Sequence, residues 1–508
     1  EDLQFKRDYL DSLGKIDPLA LNESNRIDYQ IMSNGLKYSI FRTDTLKTYE
    51  WNPRRYNPGG AIYQLIAHDF APLAERLKNL KGRLEEIPKL IDDAKTNLKN
   101  PPKIYTETAL LQIDGTISLI RDDLNIHLEQ IPKLIAEIKP TQHKVVEALE
   151  DYKKWLQDDL LPRSNGDFRL GDELFRLKLR YALDSDISKE ELLERAEQEL
   201  EVVTEEMFET AVPLFKKYYS EELFDANFTK KERIIKMVLD KLADEHPTEN
   251  NIVDLAKEKL RECEDFVREN KLVTLFGDDI DIVVMPEFER GVAIAYCNSP
   301  GPLEENGETF YAIAPPPQNW DSKRVESYFR EYNNHMLVNL TVHEAMPGHY
   351  LHATHSNRYN APTLIRSIYG SGTFTEGWAT YTEQLMVEYG FGGAELKMQM
   401  LKMRLRMVIN VILDQKIHTA EMTEDEAMDL MINKGFQEDG EAAGKWRRAC
   451  LSSTQLSTYY MGNIEINDIR KDYQKKAGDS FDLMAFHDEL LSYGRPAPKY
   501  LRQLMNLN

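Results

Sequence analysis

Cysteine is scarce. Cys263, Cys297 and Cys450 are the only three in 508 residues, widely spaced and odd in number. They exclude a disulfide framework and a metal site built on cysteine pairs. No apolar run approaches the length needed to span a bilayer, so nothing in the chain reads as transmembrane. Basic residues are the minority, 64 Lys and Arg against 86 Asp and Glu, for a net charge of −22. A nucleic-acid partner would want a basic face, so that class is set aside. The acidic surplus suits solubility first and cationic substrates second. Internal repeats and low-complexity linkers are also missing. The chain begins EDLQFKRDYL, without a methionine or a signal-like apolar segment. That is the expectation for a mature protein whose leader has been removed.

What is present is enough for a large core and for two or more domains. Residues 1 to about 270 read as successive helices. LAERLKNLKGRLEEIPKLIDDAKTNL and GTISLIRDDLNIHLEQIPKLIAEI place apolar residues at i, i+3, i+4 and i+7. Each contains an Ile-Pro, which is expected to kink or restart the helix. Ser188 with Glu191 forms a capping-box pattern ahead of another long amphipathic stretch. The texture changes near 273, where LVTLFGDDIDIVVMPEFERGVAIAYCNSP is β-branched and broken by turn residues. ETFYAIAPPP follows as a strand stopped by Pro315, Pro316 and Pro317. A helix is expected over about 322 to 346, and helices then continue to the C-terminus, one capped by Thr423 and Glu426. The expected organisation is a helical scaffold lobe, 1–272, and a lobe carrying the chemistry, 273–508, with a soft boundary.

Four of the 11 histidines, His343, His349, His352 and His355, fall within HEAMPGHYLHATH. The opening His-Glu is that of a zinc-peptidase helix, but the second histidine comes at i+6 instead of i+4. On a continuous helix, residues six apart are roughly 240° apart around the axis and cannot share an ion. Pro347 removes the N–H that would bond the His343 carbonyl, and Gly348 follows with unusual backbone freedom. A helix distorted there could return His349 to the face of His343. Two other readings stay open: His349 with His352 as an i+3 pair, or a Pro-Gly that ends one helix while histidines cap the next.

A zinc site needs a third protein ligand and an open position. GTFTEGWATYTEQLM supplies Glu376, 27 residues after His349, on a second helix. Glu383 shares its face and could accept the second N–H of a ligand histidine. Taken alone, these are ordinary acidic residues on a helix; they matter only in combination with the histidines.

HEAMPGHYLH, EGWATYTEQL, TYYMG and FHDELLSYG, in that order, closely resemble the bacterial family known as domain of unknown function 885. Its members show HEAxPGHHxQ, EGWAxYxE, YxxG and FHDxLLxxG. The stretch GDELFRLKLRYAL looks like the family's pattern too, so the resemblance runs through most of the chain. The sequence departs from it at Tyr350, where a second histidine is usual, and at His352, where glutamine is usual. It also lacks the proline commonly found before TYYMG. None of these touches the proposed ligands.

The family is in turn similar in motif order to the glutamate-zincins, whose relatives include the angiotensin-converting, oligopeptidase and Taq-type carboxypeptidase families. That resemblance implies a predominantly α fold, a two-lobed helical cleft architecture with a small β-sheet. It implies one Zn2+ on His343, His349 and Glu376, with Glu344 as the catalytic glutamate. Glu383 and His352 would support the ligands. Tyr459, His487 and Arg448 are candidates for stabilising the tetrahedral oxyanion. An edge strand of the 280–315 region would pair with an extended substrate backbone.

The function implied is a zinc metallopeptidase cutting small or unstructured peptides, with Glu344 as general base on a zinc-bound water. A metal-dependent amidohydrolase of a non-peptide amide is the alternative, as is a non-catalytic binding protein that has kept the fold. Family members often carry export or lipoprotein leaders, which implies a periplasmic or cell-envelope setting. Oligomeric state is not legible.

Overall fold

A computed structural model describes residues 2–67, 70–219, 230–277, 280–285, 295–301, 309–317, 320–359 and 363–507. The chain divides into two compact units, Glu1–Lys6 with Ser39–Leu170 and Arg7–Tyr38 with Gly171–Asn508. The change of texture near 272 therefore lies inside the second unit.

The first unit is a helical assembly built on Leu73–Asn97, Lys103–Ser118 and Pro132–Trp155. Leu77, Leu80, Leu84, Ile87 and Ile91 form the buried stripe of the first of these, and Ile138, Val145 and Leu149 that of the last. The two Ile-Pro sites behave differently. At Ile131-Pro132 one helix ends at Glu129 and the next starts with proline in its first position, where the missing N–H costs nothing. At Ile87-Pro88 the helix does not restart but runs through Pro88. Its buried stripe continues on both sides of the proline, so packing holds the helix together across the lost bond.

The second unit is also helical, and its described residues include a three-stranded sheet: β1 Asp281–Val284, β2 Ala295–Asn298 and β3 Phe310–Ile313. The order is β1-β3-β2, with β1 parallel and β2 antiparallel to β3. Much of the expected β stretch, residues 286–294, lies outside the described residues. The helix expected over 322–346 is instead two. Ser322–Glu331 stops, and Asn333 caps a new helix by accepting from the backbone N–H of His335 and Met336, both at 3.1 Å.

That new helix, α1 (Asn334–Glu344), is followed by α2 (His349–Asn357), α3 (Gly372–Glu388) and α4 (Gly393–Thr419). Two more complete the site, α5 (Asp439–Leu451) and α6 (Thr458–Ala477). The core around them includes Leu337, Val342, Phe374, Trp378, Tyr381 and Phe486. α4 is buried on nearly every face, including Arg406, Asn410 and Asp414, and forms the central post of the unit. The Thr423–Glu426 capping box is formed in both directions, whereas Ser188 accepts from the Glu191 N–H. Among the described residues no helix is long and apolar enough to cross a membrane.

Candidate metal centre

The HEAMPGH stretch is not a bulged helix but a complete break between α1 and α2. Ala345 and Met346 N–H both reach back to the Thr341 carbonyl, and the Met346–Pro347 peptide is cis. Gly348 N–H then bonds the Val342 carbonyl at 2.9 Å. Glycine is needed for closeness: a Cβ at 348 would lie 1.9 Å from the His343 carbonyl oxygen and 2.4 Å from that of Val342. Trp378, fully buried on α3, donates its indole N–H to the Pro347 carbonyl at 2.8 Å and fixes the break against the next helix. The result stands the imidazoles of His343 and His349 edge to face, ring centres 4.7 Å apart.

Glu376, on α3, comes up to the same point. Its Oε2 lies 3.7 Å from His343 Nε2 and 3.6 Å from His349 Nε2. One ligand atom from each of the three residues lies within 4.8 Å of the others. On the far edge of His343, Nδ1 donates to Glu383 Oε1 at 2.7 Å, while Glu383 Oε2 accepts from Asn339 Nδ2, also at 2.7 Å. A proton held on Nδ1 leaves Nε2 as a lone pair aimed at Glu376, the tautomer a metal ligand requires. Two imidazoles and one carboxylate, with a cavity on the remaining side, fit the donor set of a catalytic zinc. Without an ion, burial opposes a charge on Glu376, but the His343 and His349 rings in their protonated form outweigh it and hold the carboxyl well below the usual range; the neutral tautomer is the one a bound metal would select.

Glu344 closes α1 beside this cluster. Its Oε2 accepts the backbone N–H of Cys297 at 3.1 Å, so strand β2 orients the carboxylate. A cavity of about 740 Å³ opens onto His343, Glu344, His349 and Glu376, and Ala295–Asn298 of β2 forms part of its wall. α4 and α5 contribute Arg406, Glu441, Lys445 and Arg448, and α6 contributes Tyr459. Arg448 Nη2 donates to the Tyr459 hydroxyl at 3.3 Å and to Gln455 at 3.0 Å.

Two of the expected residues are elsewhere. His352 is 1% exposed, packs edge-on to Phe374, and neither ring nitrogen has a hydrogen-bond partner among the described residues. Burial pushes its proton affinity well down, so it is a neutral core residue that supports no ligand, and the i+3 pair is not formed. His487 is fully buried and does not line the cavity. Its Nε2 bonds the Tyr381 hydroxyl at 2.7 Å and its Nδ1 the Leu272 carbonyl at 2.6 Å. The adjacent Asp488 accepts from Thr274 N–H and Oγ1. FHDELLSYG thus clamps the segment leading into β1, a structural duty that the isolated motif did not reveal.

Sequence reasoning also missed Asn339 and the Cys297 N–H. A further omission was a pair of motif glycines: Gly377 of EGWA meets Gly462 of TYYMG, where a Cβ on Gly462 would lie 1.9 Å from the Thr373 carbonyl oxygen. Their contact sets the distance between α3 and α6, and hence between Glu376 and Tyr459. The repeated glycine in two motifs was the available signal.

The fold and site thus define a mainly helical protein with a histidine–glutamate cluster in a cavity. A family model described as bacterial protein of unknown function (DUF885) matches residues 1–505, and the chain belongs to that family. No curated protein matches it in sequence. A Shewanella oneidensis protein, described as a lipoprotein of unknown function, is 33% identical. The alignment covers 99% of this chain and 91% of that one, with a TM-score of 0.85. A Colwellia psychrerythraea lipoprotein shares the fold at 17% identity, TM-score 0.78, over 99% and 90% of the two chains. An M32 carboxypeptidase from Deinococcus radiodurans R1 aligns at 12% identity and TM-score 0.34 over 91% and 95%. That similarity is too low to bear on either fold or function.

Proposed function

We propose that the protein is a zinc-dependent metallopeptidase of small or unstructured peptides, working in the cell envelope. The observation that carries the reading is the convergence of His343 Nε2, His349 Nε2 and a Glu376 carboxylate oxygen. Zinc held by these three would supply Lewis acidity toward a carbonyl and a water. Glu344 lies beside them with one oxygen held by the Cys297 N–H, so its carboxylate is oriented before substrate arrives. It accepts a proton from the attacking water and returns it to the leaving amine. The Tyr459 hydroxyl accepts from Arg448, which leaves its own O–H to donate to an oxyanion in the cavity. The description of two similar proteins as lipoproteins supports the envelope setting.

The test is elemental analysis combined with a peptide-library assay on wild type and Glu344→Gln. About one zinc per chain and cleavage abolished by the substitution are expected. Protein that takes up no zinc at saturating concentration refutes the ligand set. Zinc uptake with no peptide cut moves the function to a non-peptide amide or to binding alone.

A further inference from the structure

The cavity wall formed by α4 and α5 differs electrically from the rest of this acidic protein. Lys402 pairs with Glu331 at 2.8 Å, and Arg406 Nη2 lies 2.5 Å from Glu441 Oε1. That second contact lacks hydrogen-bond alignment, so Arg406 Nε and Nη2 have no hydrogen-bond partner among the described residues. These two acids are matched by two cations, and Arg404 on the same wall pairs with Glu199, yet Lys445, Arg448 and Arg495 line the cavity as well. Among the described residues Arg448 bonds only to neutral groups, Gln455 and the Tyr459 hydroxyl. Lys445, one helical turn before it on α5, is 7% exposed and makes no hydrogen bond or ion pair among the described residues. A buried ammonium without a partner is costly unless something arrives to pair with it. Burial first, and Arg406 next, pull Lys445 down to about 7, and the nearby Glu441 and Glu331 carboxylates offset this only in part.

We infer that Lys445 and Arg448 form a carboxylate-binding subsite, which holds a free carboxylate of a short peptide in the same cavity as His343, His349 and Glu376. The inference rests on the peptidase reading for its choice of ligand, since every peptide ends in a carboxylate. Arg448 offers a planar fork suited to a carboxylate, and Lys445 a point charge beside it. Both come from one rigid helix, which fixes their spacing before binding. A peptide anchored there is held by one end, so cleavage occurs near that end and not at interior bonds of long chains. The acidic net charge of the chain, which suggested cationic substrates, is reversed at this wall.

The experiment measures binding to the EDTA-treated full-length chain, so that any zinc-bound carboxylate is removed from the comparison. The probes are N-acetyl-trialanine as the free acid, its C-terminal amide, and N-acetyl-Ala-Glu-Ala amide, titrated by calorimetry. The free acid is expected to bind at least about tenfold more tightly than the amide. Lys445→Met and Arg448→Gln should each remove most of that preference, and Lys445→Arg should restore it. A glutamyl amide that binds like the free acid would assign the subsite to an acidic side chain; one that binds like the plain amide assigns it to the chain terminus. Equal binding of acid and amide by wild type, or a preference untouched by both variants, overturns the inference. Because the readout needs no turnover, a protein that discriminates but never cleaves counts against the peptidase and not against the subsite.

Discussion

Replacing Glu383 tests how the zinc ligands are held. The side chain is 4% exposed and accepts twice, from His343 Nδ1 and from Asn339 Nδ2, each at 2.7 Å. Glu383→Gln keeps one acceptor oxygen for His343 and presents an amide NH2 to Asn339, which can flip and accept. The hydrogen-bond count then survives, and the loss is the negative charge that makes His343 a better ligand. Removing such a partner costs about 10- to 100-fold in metal affinity, or about 1.4–2.8 kcal/mol. Glu383→Ala goes further, leaving two buried donors unpaired at about 1–3 kcal/mol of stability each. Competition against a chromophoric chelator reads the zinc affinity, and urea unfolding of the zinc-free proteins reads the stability. A folded Glu383→Gln protein with wild-type zinc affinity would refute the claim that Glu383 acts through His343.

His349→Ala should abolish zinc binding, whereas His352→Ala should leave zinc stoichiometry at one and cost about 2–4 kcal/mol through the cavity left against Phe374; the reverse ranking in a chelator titration would restore the i+3 pair. Gly462→Ala forces a methyl into the α3–α6 crossing and should destabilise by about 1–3 kcal/mol or more, seen as a lower urea midpoint. Gly348→Ala should weaken zinc disproportionately to stability, because it separates the two imidazoles; unchanged zinc affinity would show that the break tolerates a side chain. Glu465 offers a pH test. Burial raises its carboxyl from the ordinary 4.5 to about 8, with one oxygen bonded to Ser185 and the other unpartnered. A raised folded-state value means that stability present below pH 4.5 is lost as the pH climbs toward 8. The interval corresponds to an upper limit of about 5 kcal/mol. Glu465→Gln should flatten that decline in urea melts at pH 5 and 8.5, and parallel curves would show that the group is not protonated in the fold.

Local chemistry alone was enough to read the helical character of the chain and the strand that ends at Pro315. It was also enough to require that the helix be distorted at Pro347-Gly348. Periodicity, capping and proline geometry act over a few residues and need no partner. Packing chose between the outcomes those rules allowed at Pro88, where the helix runs on along its buried stripe. They also passed over the Asn333 cap that divides the helix expected over 322–346. Histidines look alike in a motif, yet tertiary structure sorts them. His343 and His349 converge on Glu376, whereas His352 enters the core and His487 clamps a distant segment. Only the assembled chain could bring the Cys297 N–H to Glu344, seat Gly377 against Gly462, and bury Lys445 with no hydrogen bond or ion pair among the described residues. Those features depend on residues tens to hundreds of positions apart meeting at a few ångströms, and hydrogen bonding and desolvation are decided at that range.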